Sequence, residues 1–181
     1  GLFHGTVSTF YPHVGQSVDG RVRYLDTGGV SWATIRDAST GTAVTYTDAI
    51  VGIVVRADGV TNKWDVFDRI ITLFDTSALP DTDVISSATY GVTRHSLSAN
   101  DFTDSLSLIT TSPASNTALV VADYDQFGTT KQATDITVAS TSDGAYAEWT
   151  LNATGLGNIN KTGTTKFGVR SAADVGNNEP T

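Results

Sequence analysis

Along almost the whole chain, side chains alternate in character from one residue to the next, and no long segment carries an apolar stripe of helical period. A period of two is the signature of strands, whose successive side chains point to opposite faces. It places strands at Gly5–Tyr11, Val18–Leu25, Val30–Arg36, Thr42–Tyr46, Ala49–Arg56, Asp65–Phe74, Val84–Arg94, Ser105–Thr111, Ala118–Val121, Asp135–Ala139, Ala145–Leu151 and Thr165–Arg170. Ile50–Val55 is almost wholly apolar, so it reads as a central strand buried on both faces. A short helical turn is expected at Ala153–Ile159, weakened by its glycines. Strands at spacings of roughly 10–15 residues, with little helix, indicate a β-sandwich of jelly-roll type. Two antiparallel sheets would then enclose the apolar interior.

Composition agrees with this class. Seventeen Asp against only Glu148 and Glu179, together with many Thr, Ser, Gly and Val, read as strands joined by polar turns. The 181 residues fit one domain spanning 1–181, with neither a repeat nor a linker to divide them. No apolar run reaches the length of a membrane span. Without Cys or Met the chain has no disulfide framework, no thiolate chemistry and few oxidisable side chains, which suits life outside the cell. A net charge of -8 with scattered lysines argues against nucleic acid as a partner. The opening Gly1-Leu2-Phe3-His4 has neither an initiator Met nor a leader pattern, and reads as a processed end.

Arg69-Ile-Ile-Thr-Leu-Phe-Asp-Thr-Ser-Ala-Leu-Pro80, followed by Val84-Ile-Ser-Ser-Ala-Thr-Tyr90, is more particular. It resembles the hallmark of the DNRLRE-type, carbohydrate-binding-module-like jelly rolls, including their secreted and phage-associated variants. In such a motif a strand ends at Phe74, Asp75 and Ser77 bond their own turn, Pro80 stiffens it, and Ile85 and Ala88 re-enter the sheet. Thr150–Asn160 and Lys166–Arg170 resemble the family's helical turn and the strand after it. The resemblance implies a further closing strand beyond Arg170, which this sequence does not carry. The expectation is a truncated or variant topology, or a rim completed by another chain through strand addition.

Four aspartates, Asp101, Asp104, Asp123 and Asp125, lie in polar stretches where oxygen ligands could gather. They read either as solvated turn and cap residues or as ligands for calcium, and structural calcium is also what the resemblance implies. Neither stretch has the EF-hand spacing. Trp32 and Trp149 sit on apolar faces and read as core. Trp64 and Tyr124 are flanked by polar residues, and read either as edge packing or as a stacking platform for glycans. Asn152-Ala-Thr154 and Asn160-Lys-Thr162 are glycosylation sequons, meaningful only in a cell with the machinery.

Catalytic signatures are lacking. His4, His13 and His95 have no metal-ligand spacing, and Gly29-Val-Ser31-Trp-Ala33 departs from the nucleophile elbow at its last position. The expectation is therefore a non-catalytic extracellular module: a virion tail or decoration subunit, a filament subunit or a surface adhesin. Its partners would be copies of itself, other particle or surface proteins, or glycans. A carbohydrate-binding module targeting an appended enzyme is the alternative.

Overall fold

The computed structural model describes residues 6–12, 17–46, 52–95 and 105–180. The chain is all-β, with two antiparallel sheets and little helix. Ten strands occur among the described residues: β1 (Asp19–Val30), β2 (Ala43–Thr45), β3 (Val55–Ala57), β4 (Trp64–Asp75), β5 (Thr89–Thr93), β6 (Ser105–Thr111), β7 (Phe127–Lys131), β8 (Ile136–Thr137), β9 (Tyr146–Thr150) and β10 (Thr164–Ser171). Three one-turn helices join them: α1 (Trp32–Arg36), α2 (Ala153–Gly157) and α3 (Ala172–Gly176).

The large sheet runs β2-β1-β4-β10-β6-β7, with β3 also on β4 and β8 on β6; β5 and β9 form the small one. β4 is its central strand. On one side it pairs with β1, in register Val22↔Arg69 and Tyr24↔Phe67. On the other it meets β3 at Val55↔Phe67 and then β10 at Phe167↔Thr72. The strand buried on both faces is β4; of Ile50–Val55, the described residues 52–55 are half-buried and only Val55 lies in a strand, β3. Of the expected strand Ala49–Arg56, residues 49–51 lie outside the described residues, and β3 is a three-residue partner along the flank of β4 with Arg56 and Ala57 exposed.

Alternation along β4 sorts the interior into two cores. Phe67, Ile71 and Leu73 enter one cluster, while Ile70 and Phe74 pack against the other. The second cluster lies between the sheets, where Tyr90 and Trp149 of the small sheet meet Leu108, Phe167 and Val169. Tyr90 stands edge-on to Trp149 and Phe74, with ring centroids 5.5 and 5.9 Å apart. The first cluster occupies the opposite face, beneath α1, α3 and a 3-10 turn at Val121–Asp125, with Trp32 edge-on to Trp64 and Phe67. Facing sheets therefore bury only one of the two cores.

Several local expectations change. Val30–Arg36 is not a strand: β1 runs on to Val30 through an irregularity between Leu25 and Val30, and helix α1 comes next. Ser31 caps that helix, its hydroxyl accepting from Thr34 N–H, and Trp32 and Ile35 share the buried side at helical spacing. Ala118–Val121 is a loop leading into the 3-10 turn, and Asp135–Ala139 is a two-residue strand with another such turn after it. Of Val84–Arg94 only Thr89–Thr93 pairs as strand. In the first expected strand, Gly5 lies outside the described residues, and 6–12 form no ladder among the described residues. The turn after β4 is as expected: the Asp75 carboxylate accepts from the backbone and hydroxyl of Ser77, which holds the acid below its ordinary range. Beyond β10 the chain enters α3, and two indoles hold the residues after that helix, Trp32 donating to Asn177 and Trp64 to Glu179.

Candidate functional site

Three groupings of polar side chains stand out, and their positions separate those that hold the fold from those that face solvent. The first is fully buried. Arg69 on β4 and Arg170 on β10 point to the helix-covered face and converge on Asp174 of α3. Arg69 also donates to the carbonyls of Tyr124 and Arg36, and its guanidinium lies 4.1 Å from the centroid of the Tyr124 ring. Arg36 adds a donor to the Asp174 carbonyl. Two buried cations face one carboxylate here, and the carbonyls and aromatic ring supply the remaining compensation. The centre ties β4, β10, α1, α3 and the 3-10 turn together.

The second grouping lies on the other face of the large sheet. Asp68, itself buried, accepts both Nε and Nη2 of Arg23 at 2.7 Å, and Arg21 at 3.4 Å. That hydrogen bonding raises the pKa of Arg23. Arg56 binds Asp65 through two nitrogens nearby. These are cross-strand contacts in which three guanidinium groups share two carboxylates.

The third grouping is the outer face of the small sheet. In β9, Ala147 and Trp149 turn inward, while Tyr146, Glu148 and Thr150 turn out. Across the ladder stand Thr93, Gly91 and Thr89, in register Thr93↔Tyr146, Gly91↔Glu148 and Thr89↔Thr150. Tyr146 is 66% exposed. A Cβ added at Gly91 would sit 3.5 Å from Tyr146 Cδ1 and 3.6 Å from Glu148 Cγ, so both side chains lean over the bare glycine.

The residues singled out from sequence fall elsewhere. Trp64 and Tyr124 are core, not platforms. Trp64 is wedged against Trp32, and Tyr124 is fully buried with its hydroxyl donating to the Ile35 carbonyl at 2.7 Å. Neither ring offers a sugar an open face. Burial raises the Tyr124 phenol well above its ordinary pKa. Asp123 is also buried, and its two oxygens accept the backbone N–H groups of Ala114 and Val120 at 2.8 Å each. It is the staple of the 114–123 loop. Asp125 is exposed and borders a shallow cleft with Gln126 and Phe127, and no cluster of three or more metal-ligating side chains occurs among the described residues. Asp101 and Asp104 lie outside the described residues. Asn152 caps α2, accepting from Gly155 N–H and donating to the Lys131 carbonyl, whereas Asn160 is exposed and accepts from Thr162 in a turn.

Sequence reasoning missed Asp174 and Tyr146. Ser171-Ala-Ala-Asp174 has the spacing of a helix cap, and the Ser171 hydroxyl does accept from Asp174 N–H. For Tyr146 the signal is the complement of the core assignment: once Ala147, Trp149 and Leu151 face the core, Tyr146, Glu148 and Thr150 must face out.

Fold and surface together define an all-β sandwich with a buried ionic centre and a polar, aromatic outer face. No family model, curated protein or solved structure matches the chain.

Proposed function

We propose that this protein is a non-catalytic structural or attachment module that works outside the cell, as a virion tail or decoration subunit, a filament subunit or a surface adhesin. The observation that carries the reading is where its charged groups go. Asp174, Asp68 and Asp123 each bind two or more partners of the fold itself and bridge separate segments. The solvent meets a firmly backed sheet face and a set of polar loops, the arrangement expected of a scaffold that presents surface. The strand order of the large sheet ends at β2 and β7 among the described residues, and such ends are where another copy could add a strand.

A second reading, a carbohydrate-binding module serving an appended enzyme, is favoured by the exposed Tyr146 beside Glu148. Native mass and co-sedimentation separate the two. Self-assembly, or pelleting with particles, supports the structural reading; a monomer that binds polysaccharide saturably supports the second. Turnover of a polysaccharide would contradict both.

A further inference from the structure

We infer that Asp58-Gly59 is a site of spontaneous modification, at which the backbone isomerises to isoaspartate through a succinimide while the fold protects the chain's other two Asp-Gly pairs. The inference stands independently of the functional reading.

The chemistry needs only the chain and water. The main-chain nitrogen after an aspartate attacks the carboxyl carbon and forms a carbon–nitrogen bond, and the amide hydrogen leaves with the carboxyl hydroxyl as water. Water then opens the ring at either carbonyl. One opening restores aspartate; the other routes the backbone through the side chain and leaves a free α-carboxylate. Nothing is oxidised, and the mass returns to its starting value. A following glycine favours the attack because it has no Cβ to crowd the nitrogen. The nitrogen must also be free to turn toward the carboxyl group, so an amide already committed to an acceptor resists.

Asp19-Gly20, Asp58-Gly59 and Asp143-Gly144 share the dipeptide and differ in their surroundings. Gly20 lies in β1 between β2 and β4, and a Cβ there would sit 2.5 Å from the Thr45 carbonyl oxygen. A ring that reorients this peptide has no room. Gly144 donates its N–H to the Arg94 carbonyl at 2.8 Å, and the Asp143 carboxylate pairs with Arg94 Nε at 2.9 Å. Nitrogen and carboxylate are both tethered to one arginine.

Gly59 is different. It is exposed in the 58–63 loop that joins β3 to β4, and its N–H has no acceptor among the described residues. Beyond its chain neighbours, nothing lies within 4 Å of a Cβ built on it. Asp58 Oδ1 accepts from Val60 N–H at 2.9 Å, which folds the carboxyl group back over the intervening Gly59 peptide. Electrophile and nucleophile are held side by side in open space.

The product alters what the loop presents. The Asp58 carboxylate packs on Gly29, where an added Cβ would collide with it, and Asp58 N–H closes the loop on the Lys63 carbonyl at 3.0 Å. Isoaspartate adds a methylene to the main chain at this closure and moves the carboxylate off Gly29. The surface around the exposed Val60 is remodelled, while β4 stays anchored in both cores.

The test incubates the folded full chain at neutral pH and body temperature, in parallel with the same chain unfolded in guanidinium chloride. Electron-transfer mass spectrometry of tryptic peptides locates isoaspartate, and methyl transfer from S-adenosylmethionine by an isoaspartyl methyltransferase measures its amount. In the folded protein Asp58 should isomerise at least about tenfold faster than Asp19 or Asp143, and the three rates should converge in the unfolded chain. The inference is overturned if Asp19 or Asp143 matches Asp58 in the folded protein. It is equally overturned if the folded protein forms no isoaspartate at Asp58 in the time that the unfolded chain does. A preference for Asp58 that persists in guanidinium chloride also overturns it, since neighbouring residues and not the fold would then set the rate.

Discussion

Arg69 and Asp174, 105 residues apart in sequence, meet in the interior as a two-pronged ion pair, Nε to Oδ2 at 2.9 Å and Nη2 to Oδ1 at 3.0 Å. The pair joins the central strand β4 to the one-turn helix α3. A helix of five residues has negligible stability of its own, so its place depends on such contacts. Replacing a buried pair wholesale can be harmless, but removing one member strands the other's charge.

Asp174→Ala is therefore expected to destabilise the protein by about 3–5 kcal/mol, because two guanidinium groups lose their shared carboxylate. Urea unfolding monitored by tryptophan fluorescence measures it. A loss under about 1 kcal/mol would mean that the centre does not hold the fold.

Two glycines in α2 make opposite predictions from the same substitution. Helix propensity alone favours Ala over Gly at either position. At Gly157 the added methyl meets open space, so Gly157→Ala should stabilise by about 0.4–1 kcal/mol. At Gly155 the methyl would collide with the Gln132 carbonyl oxygen and sit 3.0 Å from Leu151 Cβ, so Gly155→Ala should cost about 1–3 kcal/mol. Paired melting curves decide it, and equal shifts in one direction would refute the packing described for α2.

Alkaline stability is set by two buried phenols. Tyr90, hydrogen-bonded to Thr72, and Tyr124 both have pKa values raised chiefly by burial. In the unfolded chain each ionises near the ordinary value of 10.0. The folded state thus keeps protons that the unfolded state releases, and stability intact below about pH 10 falls as pH rises beyond it. Ultraviolet titration should show these two phenols ionising only together with unfolding. Their smooth titration in a folded protein would contradict the burial described.

Asp123→Ala should cost about 1–3 kcal/mol by leaving the N–H groups of Ala114 and Val120 without their acceptor. Any effect of calcium or a chelator on the melting temperature should be the same in Asp123→Ala as in the parent protein, since both Asp123 oxygens already accept backbone hydrogen bonds. A chelator-induced drop of several degrees that Asp123→Ala abolishes would restore Asp123 as a metal ligand.

The alternation that makes the chain legible as β is sound wherever a strand has one wet face. Tyr146–Thr150, within the expected Ala145–Leu151, is a strand of alternately exposed and buried residues, and Trp149 is core, both as the pattern implies. Alternation misleads where a short helix presents similar spacing: Val30, Trp32 and Thr34 look like one strand face, yet the cap at Ser31 turns the chain into α1. The pairing of β4 with β1 and β10 lies in no local pattern, because the partners are distant in sequence. Polar neighbours also disguise Tyr124. Of its two acidic neighbours Asp123 turns inward to hold the loop while Asp125 stays exposed, and the tyrosine packs in the core beside Arg69. Charged neighbours suggest surface, and here one of those charges is a partner within the fold.

Incubating the folded protein with intact cell envelopes and with a polysaccharide panel, and measuring both the bound fraction and the release of reducing ends, tests the functional account most directly. A module that acts by contact should pellet with a surface or assemble with itself while reducing ends stay at the level of the blank. Product that rises in proportion to protein, and falls when a solvent-facing carboxylate such as Glu148 is replaced, would contradict it.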